Sequence, residues 1–435
     1  MVPRTIRRLV AALAAALLLA GPALAQKITV IMPRHEMDLV GLWEAQTRQF
    51  EQASGITVEF IQMSWDEVAN KVLTDLAAGG GTYDVIEFDN GWVAKFESAD
   101  WVEPLNAYAD QAYLDSLLPG LLATFTKNGQ VLGIPWNNDT RFFFYNKAML
   151  DQAGIATPPK TWDEVVADSK ALQDKGIVEY PVTEYWNQEW ALANSFAFYL
   201  YSFGTDYFTA DGTITINKPQ AVKALTFMVD MLKTDKIVNP SSVTLSQEAA
   251  ADLLYAGNAA FFFQGPPVTQ NYADDPQRSK VVGQVQAAEW LPAAGDTQAT
   301  LTLPEAFAIP KASKNKDAAW QYIQYMISPE RDRERAEKLG SLPLFTALYN
   351  DPALLEKYPY WKQFGAQSAM ARPLPQVEWY DELVQTTIVA VQRALLGMQS
   401  PQQAADSIAA FMAGNTAGGL KMQYCAHRHV AAGAS

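Results

Sequence analysis

In Gly133-Ile134-Pro135-Trp136-Asn137-Asn138-Asp139-Thr140-Arg141-Phe142-Phe143-Phe144-Tyr145-Asn146-Lys147, five hydrogen-bonding side chains, Asn137 to Arg141, stand directly ahead of an apolar run, Phe142 to Tyr145. A short apolar run bounded by polar residues reads as a buried strand. Polar side chains at the lip of such a strand are what a cleft for a polar ligand needs. They equally suit an ordinary polar turn feeding a core strand. The flanking chain has to decide.

Upstream, strands and helices alternate. Lys27 to Met32 reads as a strand, and Asp38 to Ala53 as an amphipathic helix with Leu39, Leu42, Trp43 and Phe50 on one face, stopped by Ser54-Gly55. Ile56 to Met63 is a second strand, and Trp65 to Ala78 a second helix (Val68, Val72, Leu76) ended by three glycines. Asp84 to Phe88 is a third strand, followed by Asp89-Asn90-Gly91-Trp92. This β-α-β-α-β order predicts parallel strands and an α/β layered domain. Ligands of such sheets sit outside the carboxyl ends of the strands. His35 follows the first strand there, and Asp89 and Asn90 follow the third. A lone histidine is as readily structural or merely exposed as it is a ligand contact.

Downstream, Thr161-Trp162-Asp163-Glu164 is a capping box opening a helix toward Gln173. Tyr180 to Gly204 is dense in aromatics; Phe196, Tyr199 and Phe203 have core spacing, while Trp186 and Trp190 sit in a polar lead-in that suits either sugar stacking or packing. Ala259 to Gln264 is an apolar strand ending in Gly265-Pro266-Pro267; Trp290 precedes Leu291-Pro292, and Pro304-Glu305 precedes the apolar Ala306 to Ile309. Helices are expected over Asn315 to Ile327, from the Ser328-Pro329 cap, over Asp381 to Leu396, and over Ala404 to Met412 behind a cap at Ser400. With no repeat and no low-complexity linker, the domains should be joined by short crossings.

The chain has 435 residues, 49% hydrophobic and 18% charged, which suits two or three globular domains of roughly 100–200 residues each. Arg4, Arg7 and Arg8, the apolar stretch Leu9 to Ala20 and Ala23-Leu24-Ala25 form a signal-peptide pattern with cleavage before Gln26. Gln26 is not the cysteine of a lipoprotein, and no later run of about 18 apolar residues follows. Free diffusion in a periplasm, with no membrane anchor, is therefore expected. Without those three arginines, 30 basic residues face 47 acidic ones, a balance of −17 that argues against nucleic acid and anionic membrane as partners. Cys425 is the one cysteine, so no intramolecular disulfide is possible. It shares the Gly- and Ala-rich tail 414–435 with His427 and His429, which reads as a frayed terminus or a metal-binding tag.

Catalytic signatures are missing: there is no His-Glu-x-x-His, Gly-x-Ser-x-Gly, P-loop or dinucleotide fingerprint. Asp89, Asp139, Glu184 and Glu305 include enough carboxylates for a glycosidase pair, but sequence does not set their separation. Accepting hydrogen bonds from sugar hydroxyls is the less demanding role for them. No cofactor, no bound metal and no catalysis are expected.

Several segments together resemble the extracellular solute-binding proteins of ABC importers, specifically the sugar-binding group typified by maltose-binding protein. They are Tyr83-Asp84-Val85-Ile86, Gly133-Ile134-Pro135 with Tyr145-Asn146-Lys147, Pro159 to Glu164, Gly257-Asn258-Ala259-Ala260 with Gln264-Gly265-Pro266, Phe307 to Lys311, and Ala371-Arg372-Pro373. The resemblance implies an α/β, two-lobed periplasmic-binding-protein fold of class II type, with the ligand in the interlobe cleft. Lobe 1 would take residues 26–138 plus 298–340, and lobe 2 residues 139–297 plus 341–413. It implies ligand contacts from Asp139, from Asp89 and Asn90, from Gln264 and Gly265, and from Arg372. His35, Arg141, Trp186, Trp290 and Glu305 join them as candidates from their own positions. Pro304-Glu305 replaces the paired glycines of many relatives, and Pro267 stands where the maltose-type pattern has an aromatic ring. The implied partners are a carbohydrate and the permease subunits of a transporter, for a monomeric protein. His35, Arg141 and Arg372 also suit an anionic sugar, and the acidic residues suit a polyamine.

Overall fold

The computed structural model describes residues 26–34, 38, 40–209, 211–295 and 297–416. The signal segment, His35 and the Cys425/His427/His429 tail lie outside the described residues.

The chain opens with β1 (Lys27–Pro33), α1 (Leu42–Ser54), β2 (Thr57–Met63), α2 (Trp65–Ala77) and β3 (Val85–Asp89). The first helix begins four residues later than its apolar spacing suggests. Asp38 stands outside it as a carboxylate cap, accepting the backbone N–H groups of Leu42 (2.7 Å) and Trp43 (2.8 Å). The second starts at a full capping box, Ser64 with Glu67. A 3₁₀ turn, Asn90–Trp92, then leads into α3 (Val93–Ser98), and β4 (Ile134–Asn137) and β5 (Phe142–Asn146) follow. Next come α4 (Trp162–Asp174), α5 (Trp190–Ser202), α6 (Pro219–Lys233), β6 (Phe261–Gly265) and β7 (Val285–Ala287). The last part holds β8 (Thr300–Leu301), β9 (Glu305–Ala308), α7 (Lys316–Met326), α8 (Pro329–Leu339), β10 (Ala371–Arg372), α9 (Tyr380–Leu396) and α10 (Pro401–Thr416).

Two sheets organise these elements, one in each lobe. The first has the order β2-β1-β3-β9-β4. Its β1, β2 and β3 are parallel, as the alternating pattern predicts, with Lys27 opposite Thr57 and Val30 opposite Val85. The strand β9 is different: it lies antiparallel between β3 and β4, although it comes far later in the chain. The second sheet is antiparallel, in the order β6-β5-β7.

Three consecutive phenylalanines in β5 are fully buried because both faces of that sheet are covered. Phe143 packs on Phe263, which meets Trp162 of α4, while Phe142 and Phe144 turn the other way onto Phe364. Gly265 ends β6 where nothing larger fits: a Cβ there would lie 2.6 Å from a ring carbon of Phe144 and 2.8 Å from Thr269 Oγ1. Gly265→Ala should therefore cost about 1–3 kcal/mol by overpacking. An unchanged urea midpoint would show that the strand end yields instead.

Between the sheets the outgoing segment after β4 and the returning segment before β9 run side by side. Arg141 N–H donates to Leu301 O (2.9 Å), Leu303 N–H donates to Asp139 O (2.7 Å), and Thr140 faces Thr302. The crossings are thus a short, hydrogen-bonded pair of strands.

Candidate ligand-binding site

Strand periodicity puts Glu87 and Asp89 on one face of β3. The register of β9 sets Glu305 opposite Asp89 on one side and opposite Asn137 on the other. The carboxyl ends of β3 and β4 and the start of β9 so gather three buried carboxyl groups and an amide. Glu305 accepts from Trp65 Nε1 (2.9 Å) and Asn137 Nδ2 (2.6 Å), Glu87 accepts from Trp136 Nε1 (2.9 Å), and Asp89 accepts from Gly91 N–H (2.7 Å). Burial, with the neighbouring carboxyls adding to it, pushes Glu87 well above the usual carboxylate range. Burial does the same to Asp89, against the pull of the Gly91 N–H. A carboxyl held protonated both donates and accepts, which matches the two-way hydrogen bonding of a hydroxyl group.

An aromatic wall adjoins the carboxyls. The Trp65 ring lies 4.4 Å from that of Trp190 and 5.5 Å from that of Trp92, and Trp190 is 5.8 Å from Tyr380. Trp65 is fixed at the first position of α2 and by its bond to Glu305; Trp190 opens α5. Carboxyl and amide groups beside indole faces are able to hold a polyhydroxylated molecule by its hydroxyls and its C–H surface.

Of the candidates, Asp89, Asn90 and Glu305 come together at this wall. Asp139 and Arg141 form a buried ion pair (Oδ2 to Nη2, 2.8 Å) inside the strand crossing. Trp186 and Gln264, both fully buried, belong to a polar network under β6: Trp186 Nε1 (2.9 Å) and Gln264 Nε2 (2.8 Å) donate to Ser195 Oγ, Gln264 Nε2 also donates to Glu184 (3.1 Å), and the Tyr199 hydroxyl donates to Glu184. Gly265 is the packing glycine already described. Trp290 is half-buried, with Nε1 donating to Pro159 O (3.1 Å) and Lys160 Nζ 4.2 Å over its ring. Arg372, also half-buried, lies 4.0 Å from the Asp206 carboxylate and stacks over Tyr201 at 5.6 Å.

Sequence reasoning missed Trp65, Glu87 and Tyr380 as members of this wall, whereas Asn137 stands in the polar stretch read as a possible cleft lip. For Trp65 a signal was present. Met63-Ser64-Trp65 is the loop outside the carboxyl end of the second strand, the position that had drawn attention to His35 and Asp89 after the other two. Glu87 is hidden in an apolar strand run, and Tyr380 reaches the wall from a helix near the other end of the chain.

The family model for bacterial extracellular solute-binding protein matches residues 38–332. The chain belongs to that family. Among curated proteins it is 24% identical over 393 residues to a putative binding protein of Brucella abortus, covering 88% of this chain and 92% of that one. It is 24% identical over 334 residues to the mannitol-binding protein of Pseudomonas aeruginosa, covering 75% of each. Among solved structures, maltose-bound MalE3 of T. maritima superposes with a TM-score of 0.82 at 29% identity, covering 89% of this chain and 99% of that one. The two-lobed fold that the resemblance implies is thereby shown. Among the described residues of this solute-binding protein, no helix is long and apolar enough to cross a membrane, and no group of three metal-ligating side chains occurs.

Proposed function

We propose that this solute-binding protein captures a neutral carbohydrate or sugar alcohol between its lobes and delivers it to the permease of an ABC importer. The lobes are taken as residues 26–138 with 298–340 and residues 139–297 with 341–413. The supporting observation is the wall itself: Glu87, Asp89, Glu305 and Asn137 beside Trp65, Trp92 and Trp190. Such a set offers hydroxyl-sized hydrogen-bond sites and flat apolar faces together. The mannitol named for one relative and the maltose named for the structural neighbour belong to the same chemical class. The polyamine reading loses support because burial holds Glu87 and Asp89 toward the protonated, uncharged form. The anionic-sugar reading loses support from two of its three cations, since Arg141 pairs with Asp139 and Arg372 lies beside Asp206, while His35 lies outside the described residues. Binding asks for no reaction, in keeping with a sequence that lacks catalytic signatures. A periplasmic address, a free monomer and cleavage before Gln26 complete the proposal.

The test is calorimetric titration of the chain from Gln26, stripped of ligand by unfolding and refolding. The panel is D-mannitol, ribitol, erythritol, maltose, D-tagatose, sn-glycerol 3-phosphate and spermidine. One polyhydroxylated compound should bind stoichiometrically. Glu305→Gln should weaken it by about 10-fold, the worth of one hydrogen bond. Heat with spermidine alone would sink the carbohydrate assignment and leave the fold standing.

A further inference from the structure

The turn after β3 carries more than ligand-facing groups. It is also where the second lobe touches the first. The helix α9 packs on α5, α6 and α10, and α5 meets the second sheet through Phe198 and Trp162. It therefore moves with that lobe, yet its first turn lies on the first lobe's turn 90–95. Asp381 Oδ1 accepts from Trp92 Nε1 (2.8 Å), and Asp381 Oδ2 accepts from Lys95 Nζ (2.5 Å). Just ahead of the helix, Gln376 Nε2 donates to Asn90 O (3.1 Å). The Tyr380 ring lies so close over Gly91 that a Cβ there would be 2.1 Å from a ring carbon. The Lys95 and Asp381 side chains are only 22% and 14% exposed, so water weakens their pairing less than that of a surface ion pair.

We infer that Asp381, with Trp92, Lys95 and the Tyr380–Gly91 contact, forms a latch between the lobes that holds the cleft toward its closed form before any solute arrives. It rests on the two-lobe division given above and not on which solute binds. Every bond in the set is made between side chains or backbone of the chain itself. The latch consequently acts on the unliganded protein and sets the fraction of molecules ready to engage a solute. Ligand contacts at Asp89 and Asn90 then add to a turn already held from both sides. The Trp65–Trp190 contact, 4.4 Å between ring centroids, joins the first helix turns of α2 and α5 across the same boundary.

Pulsed electron–electron resonance without added solute tests this. Spin labels are placed on the exposed positions Lys71 of α2 and Lys223 of α6 as cysteines, in a Cys425→Ser background. Three single changes break the latch from both sides: Asp381→Ala from the second lobe, Lys95→Met and Gly91→Ala from the first. Each should move the label-to-label distribution to longer distances than in the parent, with Lys95→Met giving the smallest shift because Trp92 keeps its acceptor. Circular dichroism melting confirms that each variant is folded; if Asp381→Ala fails to fold, the two first-lobe variants carry the test. Unchanged distributions in the folded variants would overturn the latch. A shift in Asp381→Ala alone would also overturn it, because Asp381 would then act only through the first turn of its own helix. The distances are read with no solute present, so a wrong ligand assignment leaves the outcome intact.

Discussion

Replacing Arg141 with methionine should destabilise the protein by about 3–5 kcal/mol, the cost of breaking one side of a buried ion pair. The Arg141 and Asp139 side chains are 6% and 2% exposed and lie 2.8 Å apart inside the strand crossing. Methionine keeps much of the apolar stem, so the loss reports chiefly the removal of the charge paired with the Asp139 carboxylate. Asp139→Asn should also destabilise, by removing the charge that pairs with the guanidinium. The pair Asp139→Asn with Arg141→Met should lose less than the two single losses added together. Urea unfolding of the four proteins gives the answer, and additive losses would mean that the two charges do not depend on each other. The result bears on ligand mapping as well. A variant at Asp139 that no longer binds sugar identifies a ligand contact only if its stability is first shown to be intact.

A second large effect is expected from pH. Burial raises the Glu184 carboxyl to about 8, against the hydrogen bonds from Tyr199, Gln264, Trp186 and Ser195 that pull it down. Its ordinary value is 4.5. A folded-state value above the unfolded one means that the folded protein holds the proton more tightly. The associated stability is therefore complete below about pH 4.5 and is lost as pH rises through about 8. The size is on the order of 5 kcal/mol. Glu184→Gln removes the ionisation, so the difference between the two stability curves should grow from pH 5 to pH 8.5 and then level off. A constant difference over that range would show that Glu184 ionises as readily folded as unfolded. The network lies directly under β6, so the same titration should be followed in the binding heat.

Much of the fold was legible because local rules and tertiary outcome agree. The alternation of strands and helices through Asp89 and the capping box at Thr161 are set by short-range chemistry that packing did not override. The apolar run in β5 likewise appeared where its residues placed it. The insertion of β9 between β3 and β4 had no local signature, since its partners lie far away in the chain. The site divides along the same line. Asp89 and Asn90 could be found because they follow a strand in an α/β unit, and Glu305 because a polar residue stands just ahead of an apolar segment. Trp186 entered the candidate list through its polar lead-in and Gln264 through the family resemblance, and the two share Ser195 as a hydrogen-bond partner, with Glu184 accepting from Gln264. A polar side chain in an aromatic stretch has two ways to be satisfied, by solute or by a neighbour, and sequence order does not tell them apart.

The late arrival of β9 also governs how the molecule can be made. The first sheet has four of its five strands by Asn137, but β3 and β4 have nothing to pair through until Glu305–Ala308 has been synthesised. The whole second sheet is assembled from chain that lies in between. Contacts of such sequence separation form slowly, because the loop must close before the pairing is gained. The nascent N-terminal half is thus barred from early completion by its own connectivity. Until β9 emerges, the parallel half of the first sheet and the strand Ile134–Asn137 stay apart.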